Sequence, residues 1–146
     1  MKRFTRFVCT LLVFSLVLAF PVGAAETIDP RGSNYFAYYN TFFEHVSGSQ
    51  YEIWFDVTAV GEMDELGVKS IKLKRSTDEV NWSTVGTYSM SYYSQMVDKT
   101  GTISHSGYVN CTCTSGYYYY AEVELYAKDG NSTATMTVGT TTLDLT

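Results

Sequence analysis

Between Tyr51 and Ala59 the side chains alternate: Tyr51, Ile53, Phe55, Val57 and Ala59 are apolar or aromatic, and Glu52, Trp54, Asp56 and Thr58 stand between them. A period of two places these sets on opposite faces of an extended chain, so the segment predicts a half-buried β-strand rather than an amphipathic helix. The pattern returns along the chain. Ile71 and Leu73 alternate with Lys72 and Lys74, and Val85 lies in a run from Trp82 to Tyr88. Val109, Cys111 and Cys113 share one face; Tyr119, Ala121, Val123 and Leu125 alternate with Tyr120, Glu122, Glu124 and Tyr126; Ala134, Met136 and Val138 face inward in a last strand from Ser132 to Val138.

Turn chemistry separates these runs. Ser47-Gly48-Ser49 follows an aromatic N-terminal run, Ser76 to Asn81 divides two β-rich segments, and Asp129-Gly130 divides the last two. Strands at such spacing, without a long helix between them, predict an antiparallel β-sandwich of about seven strands. Met90 to Thr100 reads as either a short edge strand or a loop, and Met63 to Leu66 as a short helical turn.

The first 25 residues read differently. Lys2, Arg3 and Arg6 precede an apolar run from Phe7 to Phe20, followed by Pro21 and the small residues Gly23, Ala24 and Ala25. That is the three-part form of a secretory signal peptide, cleaved after Ala24 or Ala25. The run is shorter than the roughly 20 residues that span a bilayer, so no stable membrane anchor is expected. Cys9 leaves with the signal, and residues 26–146 are expected to form one secreted domain. About 120 residues suffice for a core without metals or many disulfides. Removing three of the ten basic side chains leaves seven against fifteen acidic ones, a net charge of −8. Such a domain repels phosphate backbones and anionic lipid, which argues against nucleic acid as a partner. The cluster Lys69, Lys72, Lys74 and Arg75 is expected to form a solvated face, with Lys72 and Lys74 beside Glu122 and Glu124 across a strand ladder.

Enzyme chemistry finds few parts. His45 and His105 are the only histidines, neither lies in a nucleophile motif, and no Gly-x-Ser-x-Gly, His-Glu-x-x-His or phosphate loop occurs. The acid pairs Asp64/Glu65 and Glu122/Glu124 read as a turn and an exposed ladder rather than a glycosidase pair. No catalytic residue, cofactor or metal site is expected: His105 lies six residues before Cys111, with no second ligand pair at zinc spacing. Cys111 and Cys113, two apart on a strand, point the same way with Cα atoms about 6.6 Å apart, near the upper limit for a disulfide. Two buried thiols, a local disulfide, and intermolecular or redox chemistry all stay open.

The binding reading rests on aromatic residues. Residues 26–146 hold thirteen Tyr, two Trp and four Phe, more than a core of this size hides. Trp54, Tyr118, Tyr120 and Tyr126 fall on the polar faces of their strands and are the candidate binding residues, because exposed rings give broad platforms at little entropic cost. The competing reading is that tyrosine simply suits sheets. The triplets at Asn81, Asn110 and Asn131 that fit the glycosylation pattern, and the row Thr133, Thr135 and Thr137, carry no weight in a Ser- and Thr-rich strand protein. The expected function is non-catalytic binding outside the cell, to a cell-wall glycan or another polysaccharide or to a protein. A secreted antagonistic, bacteriocin-like protein acting on membranes is the alternative, which the net charge of −8 disfavours.

Three resemblances bear on this. Tyr117 to Ala127, with the turn and threonine-rich strand that follow, resembles the last two strands of fibronectin type III and immunoglobulin-like domains, where a tyrosine early in the penultimate strand bonds back to the chain; Tyr119 is the matching position. The stretch SIKLKRSTDEVNWSTVGTY is similar to a hairpin of bacterial extracellular sandwiches in which the tryptophan, here Trp82, packs over the sheet edge. The ordered set RGSNYF, IWFDVTAVGEMDELGVKSIKL, STDEVNWSTVGTY and GYYYYAEVELYAKDGN resembles a family of small secreted proteins from Gram-positive bacteria with no assigned function. That likeness implies the compartment and the sandwich, and no active site; Cys111 and Cys113 fall outside its pattern.

Overall fold

A computed structural model describes residues 34–146. The expected signal peptide over residues 1–25, with Cys9, lies outside the described residues. Nine strands follow one another, seven long and two of only two residues: β1 (Phe36–Ser47), β2 (Gln50–Met63), β3 (Glu65–Ser76), β4 (Ser83–Ser89), β5 (Val97–Asp98), β6 (Thr102–Thr112), β7 (Tyr118–Asp129), β8 (Ser132–Gly139) and β9 (Leu143–Asp144). All pairings are antiparallel. One sheet has the order β1-β2-β6, the other β4-β3-β7-β8, with β5 added beside β3 and β9 beside β7. The molecule is the antiparallel β-sandwich that the period of two predicts.

The alternating sets meet between the sheets. Ile53, Phe55 and Val57 of β2 and Val109 and Cys111 of β6 pack against Leu66, Val68, Ile71 and Leu73 of β3 and Tyr119, Ala121, Val123 and Leu125 of β7 in one buried cluster. Each large apolar side chain so enclosed contributes about 1.5–3 kcal/mol. In β3 the register against β7 slips between Val68 and Ser70, so that Lys69 is an extra residue. The bulge resets the alternation and turns Ile71 and Leu73 inward. In β4 the slip falls at Val85, which is 43% exposed.

One local expectation is corrected, and two stretches that the sequence leaves open take definite form. The aromatic run before Gly48 is itself the strand β1, hard to recognise because most of its side chains on both faces are exposed. Met63 to Leu66 is not a helical turn: β2 ends at Met63, Asp64 forms the corner, and β3 begins at Glu65 as the chain crosses to the other sheet. The Asp64 carboxylate holds that corner by accepting the Gly130 N–H at 2.7 Å. Met90 to Thr100 holds both elements that the sequence leaves open: a loop whose 3-10 turn at Ser94–Met96 drives Met96 into the core, then the short edge strand β5 beside β3. Glycine is required at position 67 (φ +153°), because a Cβ there would lie 2.1 Å from the Met96 carbonyl oxygen.

The turn at 76–81 is built around Asp78. Its carboxylate accepts from the Val80 and Asn81 backbone N–H groups and from the Asn81 side chain, and these bonds hold it well below the usual carboxylate range. The tyrosine singled out in β7 closes the other end: the Tyr119 hydroxyl accepts the Thr114 N–H at 3.0 Å, five residues upstream. Trp82 meets Tyr120 edge-on, ring centroids 4.7 Å apart, over the outer face of the four-stranded sheet.

Candidate functional site

Because Ile53 and Phe55 are buried, Trp54 must point out of the three-stranded sheet. Its cross-strand partners are Phe42 on β1 and Tyr108 on β6, and residues directly opposite share a face. The three rings form one row across the whole sheet. Phe42 and Trp54 lie parallel within 4° at 6.3 Å between centroids, and Tyr108 follows at 4.8 Å, inclined by 35°. Phe42 is 38% and Tyr108 39% exposed. The indole is fixed in orientation, since its N–H donates to the Glu52 carboxylate at 2.8 Å.

Polar rows run along both sides of the rings. Asn40, Asp56 and Ser106 stand opposite one another on one side, and Glu44, Glu52 and Asn110 on the other. Beyond Tyr108 an open groove of about 420 Å³ continues the surface along the β6 edge, lined by Gln95, Ser106, Tyr108 and Asn110. His105 and Gly107 form its inner wall, with the His105 ring donating to the Gln95 carbonyl at 2.9 Å. The result is an aromatic strip bordered by carboxylates, amides and hydroxyls. Such a strip can stack a ring-shaped ligand and hydrogen-bond its rim.

The sequence-derived binding residues divide between the two faces of the sandwich. Trp54 joins the row. Tyr118, Tyr120 and Tyr126 all lie on β7 in the other sheet, half-buried, and are not brought together with Trp54. Tyr120 packs against Trp82 and lies under the Lys74 ammonium at 5.5 Å, and Tyr126 is separated from it by Glu122 and Glu124. Sequence reasoning missed Phe42 and Tyr108. Phe42 and Trp54 are equidistant from Gly48, the tip of the β1–β2 hairpin, a symmetry that would have found the first. Tyr108 precedes the inward Val109, so it had to face outward, but nothing local pairs β6 with β2.

The lysine ladder forms as expected at Glu122, while Glu124 is met by Lys69 instead of Lys72 or Lys74. Lys72 and Lys74 both reach the Glu122 carboxylate, at 3.4 and 2.5 Å, and Lys69 reaches Glu124 at 3.0 Å. The hydrogen bond from Lys74 holds the Glu122 carboxyl below its ordinary value, and the same bond raises the Lys74 ammonium. Glu65 pairs with Lys128 and Lys99, so the acid pair at the corner is engaged structurally. His45 bonds the Gly48 carbonyl in the hairpin tip. Cys111 and Cys113 are buried as thiols with sulfurs 3.9 Å apart. The hydrogen bond shared with Cys113, and then burial, push the Cys111 thiol far up. Cys113 lies under a shallow opening at the end of the sandwich, between Ser49, Ser115 and Leu145. Among the described residues no three or more His, Cys, Asp or Glu side chains converge as metal ligands. The sequence matches no protein-family model and no curated protein.

Proposed function

We propose that this chain is a secreted, non-catalytic binding protein whose ligand, a polysaccharide of a cell wall or extracellular matrix, lies along the Phe42–Trp54–Tyr108 row. The observation that carries the reading is the row itself, three partly exposed rings aligned across every strand of one sheet and extended by a polar groove. A sugar ring has one face of C–H bonds that rests on the electron-rich face of an aromatic ring, and a rim of hydroxyls that amides and carboxylates can bond. A protein partner would be served better by aliphatic side chains among the rings, and the flanking rows hold none.

In the same reading the domain is fibronectin type III-like or immunoglobulin-like. What supports this is the division into β1-β2-β6 and β4-β3-β7-β8, with the hydrogen bond from Tyr119 back to Thr114. Secretion is supported by the first 25 residues of the sequence.

The test expresses the full chain in a secreting bacterial host and recovers it from the medium. Co-sedimentation with bacterial cell walls, chitin and cellulose is then compared for the native sequence, Trp54→Ala and Tyr120→Ala. Retention on at least one polymer, lost in Trp54→Ala and kept in Tyr120→Ala, is the expected result. Absence of retention on every polymer, or equal retention by all three proteins, refutes the proposal.

A further inference from the structure

The two outer faces of the sandwich treat charge in opposite ways. All six described cations lie on or beside the four-stranded sheet, and each has a partner there. Lys69 pairs with Glu124, Lys72 and Lys74 with Glu122, and Lys99 and Lys128 with Glu65. Arg75 lies 4.2 Å over the Tyr117 ring. In this sheet lysine stands directly opposite glutamate, as Lys72 stands opposite Glu122.

On the three-stranded sheet the arrangement is reversed. Glu44 and Glu52 are directly opposite each other across β1 and β2, and Asp56 lies on the far side of Trp54. No described cation reaches these three carboxylates. Like charges directly opposite one another on a ladder destabilise it. A chain that elsewhere places lysine against glutamate has here, beside an aromatic row, a pair that no described cation compensates. Local rules are broken in this way where a site needs what folding alone would not select.

We infer that the glycan bound by the row is a polycationic amino-sugar polymer, one whose hexosamine units carry free ammonium groups. The inference rests on the reading of the row as a sugar platform and adds the ligand's charge. A hexosamine ring packs on the exposed part of the row as a neutral sugar does, and its ammonium sits at the rim, where Glu44, Glu52 and Asp56 border the strip. A fully N-acetylated or neutral polymer gains the stacking and leaves the carboxylates unpaired. An anionic polymer is repelled by them and by the charge of −8 on residues 26–146.

The experiment uses the full chain secreted into the medium, with partially deacetylated chitin (chitosan), fully acetylated chitin, cellulose and polylysine-coated beads as solid phases, each at low and high salt. Chitosan retention is expected to exceed chitin and cellulose and to weaken as salt rises, because exposed charges are screened. Glu44→Gln with Glu52→Gln keeps an acceptor for the indole N–H and should weaken chitosan retention about fivefold or more, and chitin retention by a clearly smaller factor. Trp54→Ala should abolish retention on both. Equal retention of the native protein on chitosan, chitin and cellulose, indifferent to the two glutamine substitutions, overturns the amino-sugar inference while the sugar platform stands. Polylysine retention equal to chitosan retention, with Trp54→Ala neutral on both, overturns the inference together with the platform. Thermal unfolding of each variant, recorded alongside, confirms that loss of binding is not loss of fold.

Discussion

Removing one negative charge by an isosteric change should have opposite signs on the two faces of this sandwich. Glu122→Gln takes away the negative charge, and one of the two oxygens, by which Glu122 accepts from Lys72 and Lys74, on a side chain that is 20% exposed. Charge-assisted hydrogen bonds at partly screened positions contribute about 1 kcal/mol each or somewhat less, so the variant should lose about 1–2 kcal/mol. Glu44→Gln removes one partner of the Glu44/Glu52 juxtaposition, which no described cation neutralises. Relief of a directly opposed like-charge pair is worth about 0.2–1 kcal/mol, so this variant should gain that much stability. Both effects should shrink toward zero in concentrated salt, where the screening length falls to about 3 Å at 1 M. Urea titrations of the two variants and the native protein at low and high ionic strength measure the difference directly. If Glu44→Gln destabilises the fold as Glu122→Gln does, the glutamates of the three-stranded sheet are not in repulsion. The acidic face then carries no unsatisfied charge for a cationic ligand to neutralise.

Other consequences are equally open to measurement. Tyr119→Phe deletes the hydroxyl that accepts the Thr114 N–H and bonds the Thr114 side chain. Thr114 is exposed and can turn to water, so the cost should be about 1 kcal/mol, a fall in melting temperature of about 3–5 °C; an unchanged melting temperature would remove the corner from the account of stability. Cys111 and Cys113 should titrate as two thiols per chain only after unfolding, with no mass change on reduction, because both are buried; a gain of two hydrogens on reduction would show a disulfide instead. Glu122, Asp98 and Asp144 have folded values held below their ordinary ones by their hydrogen-bond donors. The stability they supply is therefore present above the usual carboxylate range and lost as pH falls through the lowered values. Burial pushes the Tyr88 hydroxyl up to about 12, so the unfolded chain ionises first and stability should also decline between about pH 10 and 12. Unfolding midpoints across pH that stay flat at both ends would contradict these assignments.

How much of this was legible in the sequence depends on whether a feature is local. The strands around Tyr51–Ala59 and Tyr119–Leu125 were legible because one face of each is buried and the other wet, so a period of two is imposed on the residues. The pairing of Lys72 with Glu122 was legible because charge and alternation agree. β1 was not, since an edge strand with most residues exposed has no burial to impose a pattern. The corner at Asp64 was read as helix because a single bend residue between two strands leaves four residues with no visible alternation. Of the candidate site, Trp54 could be read from its own strand. Its two neighbours could not, because their positions depend on registers that join β2 to segments on either side of it in the chain.

Tyrosine is abundant on both faces, and the faces differ in what surrounds it. On the four-stranded sheet Tyr120 is covered by Trp82 and Lys74, and the carboxylates between Tyr120 and Tyr126 are neutralised by lysine. That surface has its partners already, supplied by the chain. On the three-stranded sheet the rings meet only one another, the indole is held still by Glu52, and the acids on either side have no described cation. Between the two sheets, aromatic content alone favours that of β7, which carries three of the four candidate rings. The distribution of charge separates them, because a face whose charges and rings are internally satisfied gains little from a ligand, and a face left acidic and aromatic gains from any flat cation that can lie across it.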